Sequence, residues 1–80
     1  MIIKVDKPRD IHALYQKAKD DAAKHGIIWS GDIRQGQGSG FGFEGRYIVD
    51  EHSITIFVQK KPLLVSKSRI EREVKNYVTL

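Results

Sequence analysis

The stretch FGFEGRYIVDEHSITIFVQ, residues 41–59, decides the fold because it predicts a β-hairpin. Apolar side chains recur at every second position on both sides of a polar turn at residues 50–53, which is the period of a strand with one buried face. A turn of about four residues joins neighbouring strands directly, so the two strands pair antiparallel. The alternating apolar residues are Phe41, Phe43, Tyr47, Val49, Ile54, Ile56 and Val58.

A first amphipathic helix is predicted before the hairpin. Its apolar positions recur at helical spacing and mark one face. Asp6 and Asp10 are alternative caps for its start, and Gly26 supplies a left-handed stop after its last turn. The apolar face consists of Ile11, Leu14, Tyr15, Ala18 and Ala22.

A second helix is predicted from Ser68 to the end of the chain. Ser68 and Glu71 have the spacing of a capping box, in which each side chain accepts a hydrogen bond from the other residue's backbone N–H. Leu64 is placed to pack against the start of this helix as a hydrophobic staple. The inward stripe consists of Ile70, Val74, Tyr77 and Val78.

The remaining segments complete one α+β domain over residues 1–80. Strands are predicted at residues 2–5 and 27–33, and the glycine-rich segment 34–40 is predicted to be a flexible loop. The order is therefore β-α-β-β-β-α, an antiparallel sheet with two helices packed on one face and the first strand at an edge. Because so short a chain has a thin core, we expect no room for a deep enclosed pocket.

The composition is that of an ordinary globular protein, with 40% hydrophobic and 30% charged residues. The absence of cysteine excludes disulfides, thiolate metal sites and a thiol nucleophile. The N-terminal segment alternates like a strand and is too short for the apolar region of a signal peptide. No run approaches the ~18 apolar residues of a membrane span. We therefore expect a cytoplasmic protein without a transmembrane segment.

The net charge of +4 is concentrated at one end of the sequence. Basic and acidic residues balance up to Gln59, whereas six basic residues and only two acidic ones follow it. Such a region favours an anionic partner, namely nucleic acid, an acidic protein or a phospholipid surface. The alternative is a solvated helix face that keeps the protein in solution. The candidate contact residues are Lys60, Lys61, Lys67, Arg69, Arg72 and Lys75.

The glycine-rich segment at residues 40–45 fits two known patterns incompletely. It matches G-x-G-x-x-G, but a phosphate-binding loop needs a helix after it, and here a strand follows. Gly42 and Gly45 then mark a bulge or a bend. The segment also partly matches an RNA-binding strand motif, in which Phe41 and Phe43 would stack on bases. The alternative is that both aromatic residues belong to the core.

No constellation of catalytic or metal-binding residues is predicted. His12, His25 and His52 are scattered and lack carboxylates at metal spacing. Nothing marks a nucleophile elbow, and neighbouring acidic residues do not form a paired acid and base. We therefore predict no catalytic residues, no metal and no cofactor.

The chain resembles a small bacterial family described as putative polyhydroxyalkanoic acid system proteins. The shared features are GFGFEGRYIVDEHSITIFVQ, the pair Leu63-Leu64, the terminal IEREVKNYV, and IIWSGD with its Trp29. The resemblance covers nearly the whole chain, but the Gly- and Gln-rich loop 34–40 and the polar segment 60–62 depart from it. It implies association with storage-polyester granules or with the genes that manage them, and it implies no catalytic residues.

These observations together predict a non-enzymatic binding or assembly module, associated with polyhydroxyalkanoate granules through its basic C-terminal region. The alternative is a nucleic-acid-binding module that uses the same basic residues, with or without Phe41 and Phe43. A homodimer is a further candidate assembly. An open apolar second face of the sheet would mark a partner site, whereas a polar one would direct attention to the helices.

Overall fold

The structure is a computed structural model that describes residues 1–79. The hairpin predicted at residues 41–59 is present and lies within a five-stranded antiparallel sheet. The sheet order is β1-β5-β4-β3-β2, so β1 is an edge strand beside β5, and β2 forms the other edge. The α+β class and the two helices are confirmed. The elements are β1 (Ile2–Asp6), α1 (Ile11–Lys24), β2 (Ile28–Gly31), β3 (Gln35–Gly40), β4 (Phe43–Val49), β5 (Ser53–Lys60) and α2 (Lys67–Thr79).

The segment 34–40 is the principal correction, because most of it is strand β3 and not a flexible loop. Its glycines alternate with Gln and Ser, so one face of the strand carries no side chains. Neighbouring side chains occupy that space: a Cβ built on Gly36 would lie 2.6 Å from Tyr47 Oη, and one on Gly40 would lie 3.0 Å from Ile27 Cγ1. Glycine has little strand propensity, so this strand depends on its partners β2 and β4.

Helix α1 begins and ends as its sequence indicates. The Asp10 carboxylate, the second of the two predicted caps, accepts a 3.0 Å hydrogen bond from the backbone N–H of Ala13. Gly26 has a φ of 68°, the left-handed conformation expected of a glycine after a helix end.

Helix α2 begins differently from its prediction. Ser66 Oγ, and not Ser68, accepts a 3.2 Å hydrogen bond from the N–H of Arg69, so Ser66 is the cap. This shift places Val65 immediately before the cap and Ile70 at the fourth helical position, which is the spacing of a hydrophobic staple. Both of these residues pack in the core, whereas the predicted staple residue Leu64 is exposed.

The core is thin and lies between the sheet and the helices. Its main buried cluster comes from β1, β5 and α2, half-buried side chains of α1 and β4 pack against it, and Ala22 of α1 is also buried. Helix α2 packs beside β1 and helix α1 beside β2, so each helix covers a different half of the same sheet face. Neither helix within residues 1–79 is long and apolar enough to cross a bilayer. The buried cluster consists of Ile3, Val5, Ile54, Ile70 and Val78.

Candidate functional site

Two loops meet at one end of the sheet and expose large apolar side chains. Phe41 and Gly42 form the turn between β3 and β4, and residues 61–66 connect β5 to α2. The loops are in contact, since a Cβ built on Gly42 would lie 3.2 Å from Pro62 Cγ. Here we define the apolar tip as three residues with their exposed fractions: Phe41 (70%), Leu63 (96%) and Leu64 (99%).

Phe41 has a backbone conformation that bulky residues avoid. Its φ is 54° and that of Gly42 is 83°, and Gly40 pairs with Phe43 across the turn, which makes a two-residue turn of type I′. Asn, Asp or Gly normally occupies the first position of such a turn, and another residue costs about 1 kcal/mol or more. The side chain of Phe41 is thus exposed on a backbone that disfavours it, which makes Phe41 a candidate contact residue.

The loop before α2 is held so that its leucines point away from the core. Lys61 Nζ donates a 2.8 Å hydrogen bond to the carbonyl of Val65, and the N–H of Val65 donates to the carbonyl of Pro62. These bonds close a tight turn that turns Val65 inward, against the core cluster. The intervening Leu63 and Leu64 have almost no contact with the rest of the protein.

The six predicted basic contact residues divide into two groups. Lys60 ends β5 opposite Glu44, Lys61 lies in the loop, and Lys67 and Arg69 belong to the first turn of α2. These four flank the apolar tip along the chain, and we call them the basic collar: Lys60, Lys61, Lys67 and Arg69.

The other two predicted residues lie farther along α2. Arg72 is exposed, and Lys75 Nζ forms a 2.9 Å ion pair with Glu71 one helical turn before it. An exposed pair of this kind reduces the positive charge that Lys75 offers to a partner. Of the six predicted residues, the four of the basic collar are the nearest to Leu63 and Leu64 in the chain.

The two aromatic residues of the base-stacking alternative are separated. Phe43 points from β4 towards the helices and packs against the core cluster, whereas Phe41 lies in the exposed turn. The ring of Phe41 contacts the His25 ring edge-on, with centroids 6.4 Å apart. Sequence analysis did not predict this neighbour from the end of α1, because only the antiparallel pairing of β2 with β3 brings residues 25 and 41 together.

The face of the sheet turned away from the helices is mixed in character. Ile2, Ile28 and Ile48 are exposed there, but charged and polar side chains separate them. The Arg46 guanidinium lies 4.5 Å from the centre of the Phe57 ring and covers it. This face is not a continuous apolar patch. We stated above that a polar second face would direct the search for a partner site to the helices, so the helix side and its loops are the places to examine.

A cleft of about 630 Å³ lies between the sheet and the two helices, and it is open to solvent, unlike the deep enclosed pocket for which we expected no room. Its lining is largely apolar, and its floor includes Gly38 and Gly45, which add no side chains. On its rim the Tyr77 hydroxyl donates a 2.5 Å hydrogen bond to the Asp21 carboxylate, which links α2 to α1. Burial and this carboxylate raise the pKa of the Tyr77 phenol.

A second polar group in the cleft wall is also satisfied internally. The Tyr47 hydroxyl accepts a 3.2 Å hydrogen bond from Trp29 Nε1 and donates one of 2.5 Å to the carbonyl of Asp32. Burial raises the pKa of this phenol, while the hydrogen bond from Trp29 acts in the opposite direction. The side chains of Trp29 and Tyr47 and the carbonyl of Asp32 thereby brace β2, the following loop and β4 against one another.

The residues that could carry other chemistry lie apart. No group of three or more His, Cys, Asp or Glu side chains within residues 1–79 could hold a metal ion. His52 is exposed in the β4–β5 turn and His12 on α1. The glycines of 40–45 belong to a hairpin turn and to the irregular register at Glu44/Gly45 in β4. The predicted bulge or bend therefore lies at Gly45, whereas Gly42 belongs to the turn.

Comparison with known proteins adds no identification. No family model matches this chain, no curated protein matches it, and no solved structure matches it. The resemblance to polyhydroxyalkanoic acid system proteins therefore stays a prediction from the residues.

Proposed function

We propose that this chain is a non-enzymatic docking module that binds an apolar, negatively charged surface through the apolar tip and the basic collar. The observation that carries the proposal is the nearly complete exposure of Leu63 and Leu64 between basic residues. A folded chain with a thin core gains stability by burying leucines, so two that stay in water need a use outside the fold.

The energies agree with reversible attachment. Each exposed leucine contributes about 1.5–3 kcal/mol when it is buried in an apolar phase. Each nearby Lys or Arg adds about 1 kcal/mol at an anionic surface, and salt weakens this part. Two leucines with several cations therefore provide the two kinds of attraction that stable peripheral attachment requires.

The surface that we propose is that of a storage-polyester granule. The resemblance described above implies this setting, and a polyester presents the apolar phase that the leucines require. Negative charge at the granule surface would engage the basic collar. A nucleic acid could also engage the basic residues, but it would leave the exposed leucines unexplained.

Co-sedimentation with isolated polyhydroxyalkanoate granules tests the proposal. Replacing Leu63 and Leu64 together with serine removes about 3 kcal/mol or more of apolar contact, so we expect binding to weaken by at least about a hundredfold. Ile2→Ser is the matched control, because Ile2 is also strongly exposed (67%) but lies in β1 on the other face of the sheet. Equal binding of the parent and the double variant would refute the proposal.

Phe41→Asn distinguishes a loss of granule binding from a loss of folding, because the two effects should have opposite signs. Asparagine suits the left-handed backbone of Phe41, so this variant should gain about 1 kcal/mol in stability while it binds granules less well. The nucleic-acid alternative is tested by measuring oligonucleotide binding at low salt for the parent and for variants of the leucines and of the basic collar. Binding that needs the basic collar but is insensitive to the leucines would favour the nucleic-acid alternative.

A further inference from the structure

We propose that the cleft between the sheet and the two helices binds one neutral, chain-like apolar molecule, of the class of fatty alcohols and alkyl esters. Its volume of about 630 Å³ is that of a small-molecule site, since such pockets typically measure about 300–1,000 Å³. This inference does not depend on the proposed docking function, because the cleft and the apolar tip use different residues.

The cleft exists because small residues face each other across it. Gly38 and Gly45 form part of the floor, while Ala18 and Ala22 of α1 face it from the opposite side. Larger residues at Ala18 and Ala22 would have filled the space with side chains of the protein itself. Half-buried apolar side chains such as Leu14 therefore line open space, whereas in a small core we would expect them to pack against other side chains.

The polar groups of the lining indicate a neutral ligand. The Tyr47 and Tyr77 hydroxyls already donate to protein acceptors, so neither has a free proton for a ligand. The Asp21 carboxylate at the rim would repel an anionic head group. Arg46 contributes to the lining, but its guanidinium lies over Phe57, on the opposite face of the sheet. A carboxylate ligand would therefore lack an arginine partner in the cleft.

The position of the cleft also suits an apolar ligand. His25 is part of the lining, and its ring contacts Phe41 of the apolar tip. The cleft therefore extends towards the end of the molecule that exposes its leucines, so an apolar molecule would meet apolar side chains at that end.

Trp29 provides a reporter for the test, because it is the single tryptophan of the chain and lines the cleft. Its fluorescence is measured while the full chain is titrated with 1-decanol or with decanoate. We expect decanol to change the emission saturably, with one molecule bound per chain. Decanoate should bind at least about tenfold more weakly, since its charge must leave water and lie near the Asp21 carboxylate.

Ala18→Leu fills the cleft, and Ala13→Leu is the matched control on the exposed side of α1. We expect the first variant to weaken decanol binding by at least about tenfold and the second to bind like the parent. Because Ala18→Leu can also disturb folding, amide shift mapping of the parent with decanol provides a second measurement. Shifts should concentrate at cleft residues such as Gly38, Gly45 and Ala22.

Three results would overturn the inference. These are a non-saturable response to decanol, shifts outside the cleft, or a dimer in light scattering that decanol does not dissociate, since a second copy would then occupy the cleft. The Leu63→Ser/Leu64→Ser variant should bind decanol as the parent does. Loss of granule binding in that variant with decanol binding intact would show that the two sites are separate.

Discussion

Replacing Gly36 with alanine tests whether the packing of Tyr47 requires the glycine face of β3. A Cβ at this position would lie 2.6 Å from Tyr47 Oη and 2.7 Å from two ring carbons. A methyl group cannot approach an aromatic ring so closely, and the ring cannot yield without moving its hydroxyl. Alanine at position 36 should therefore displace Tyr47.

The size of the effect follows from the contacts that Tyr47 makes. Displacement breaks the hydrogen bonds with Trp29 and with the carbonyl of Asp32, each worth about 1 kcal/mol. Overpacking destabilises the folded state by about 1 kcal/mol more. Alanine also makes the unfolded chain less flexible than glycine does, which offsets about 0.4–1 kcal/mol of this loss. We expect a loss of about 2 kcal/mol in the free energy of unfolding, which lowers the Tm by about 8–16 °C in a protein of this size.

Thermal and urea unfolding followed by circular dichroism and by Trp29 fluorescence measure this change. Gly38→Ala is the matched control two residues along the same strand. Its Cβ would have an ordinary contact of 3.4 Å with the carbonyl oxygen of Ile28, so we expect stability within about 0.5 kcal/mol of the parent. If Gly36→Ala proves as stable as Gly38→Ala, Tyr47 does not require the glycine and our account of β3 is wrong.

Two further predictions concern titrating groups. Hydrogen bonds from the backbone N–H groups of His52 and Ser53 lower the pKa of Asp50 from its ordinary 3.8. The ionised Asp50 carboxylate therefore stabilises the fold fully above pH 3.8, and this stabilisation is lost as the pH falls through the lower pKa of the folded state. Asp50→Ala should therefore lower the urea midpoint at neutral pH and flatten its decline in acid. Tyr77→Phe removes the hydrogen bond to Asp21 and should cost about 1 kcal/mol in urea unfolding. Because the pKa of Tyr77 is raised in the folded state, the parent should lose stability as the pH rises above the ordinary value of 10, and the variant should lose less.

The helices and the central hairpin were predictable from sequence, because their signals are local. The apolar spacing of α1, the cap at Asp10 and the stop at Gly26 act within a turn or two of chain. The alternation in β4 and β5 likewise needs no knowledge of distant residues. These patterns were sufficient for the α+β class and for an antiparallel sheet covered on one face.

Strand β3 and the start of α2 were predicted wrongly for different reasons. The alternating glycines of β3 form a strand because Tyr47 and Ile27 fill the space above them, and the sequence of that segment contains no sign of those neighbours. At α2, Ser66 and Ser68 are both suitable caps. Val65 packs in the core from the position before Ser66, which makes Ser66 the cap.

The sequence by itself determined the two helices, the central hairpin and where positive charge accumulates, because these properties belong to consecutive residues. Only the tertiary structure decided that Leu63 and Leu64 face water, that Phe41 joins them, and that a cleft remains beneath the helices. Those outcomes depend on how elements distant in the chain pack against one another, which no run of consecutive residues specifies.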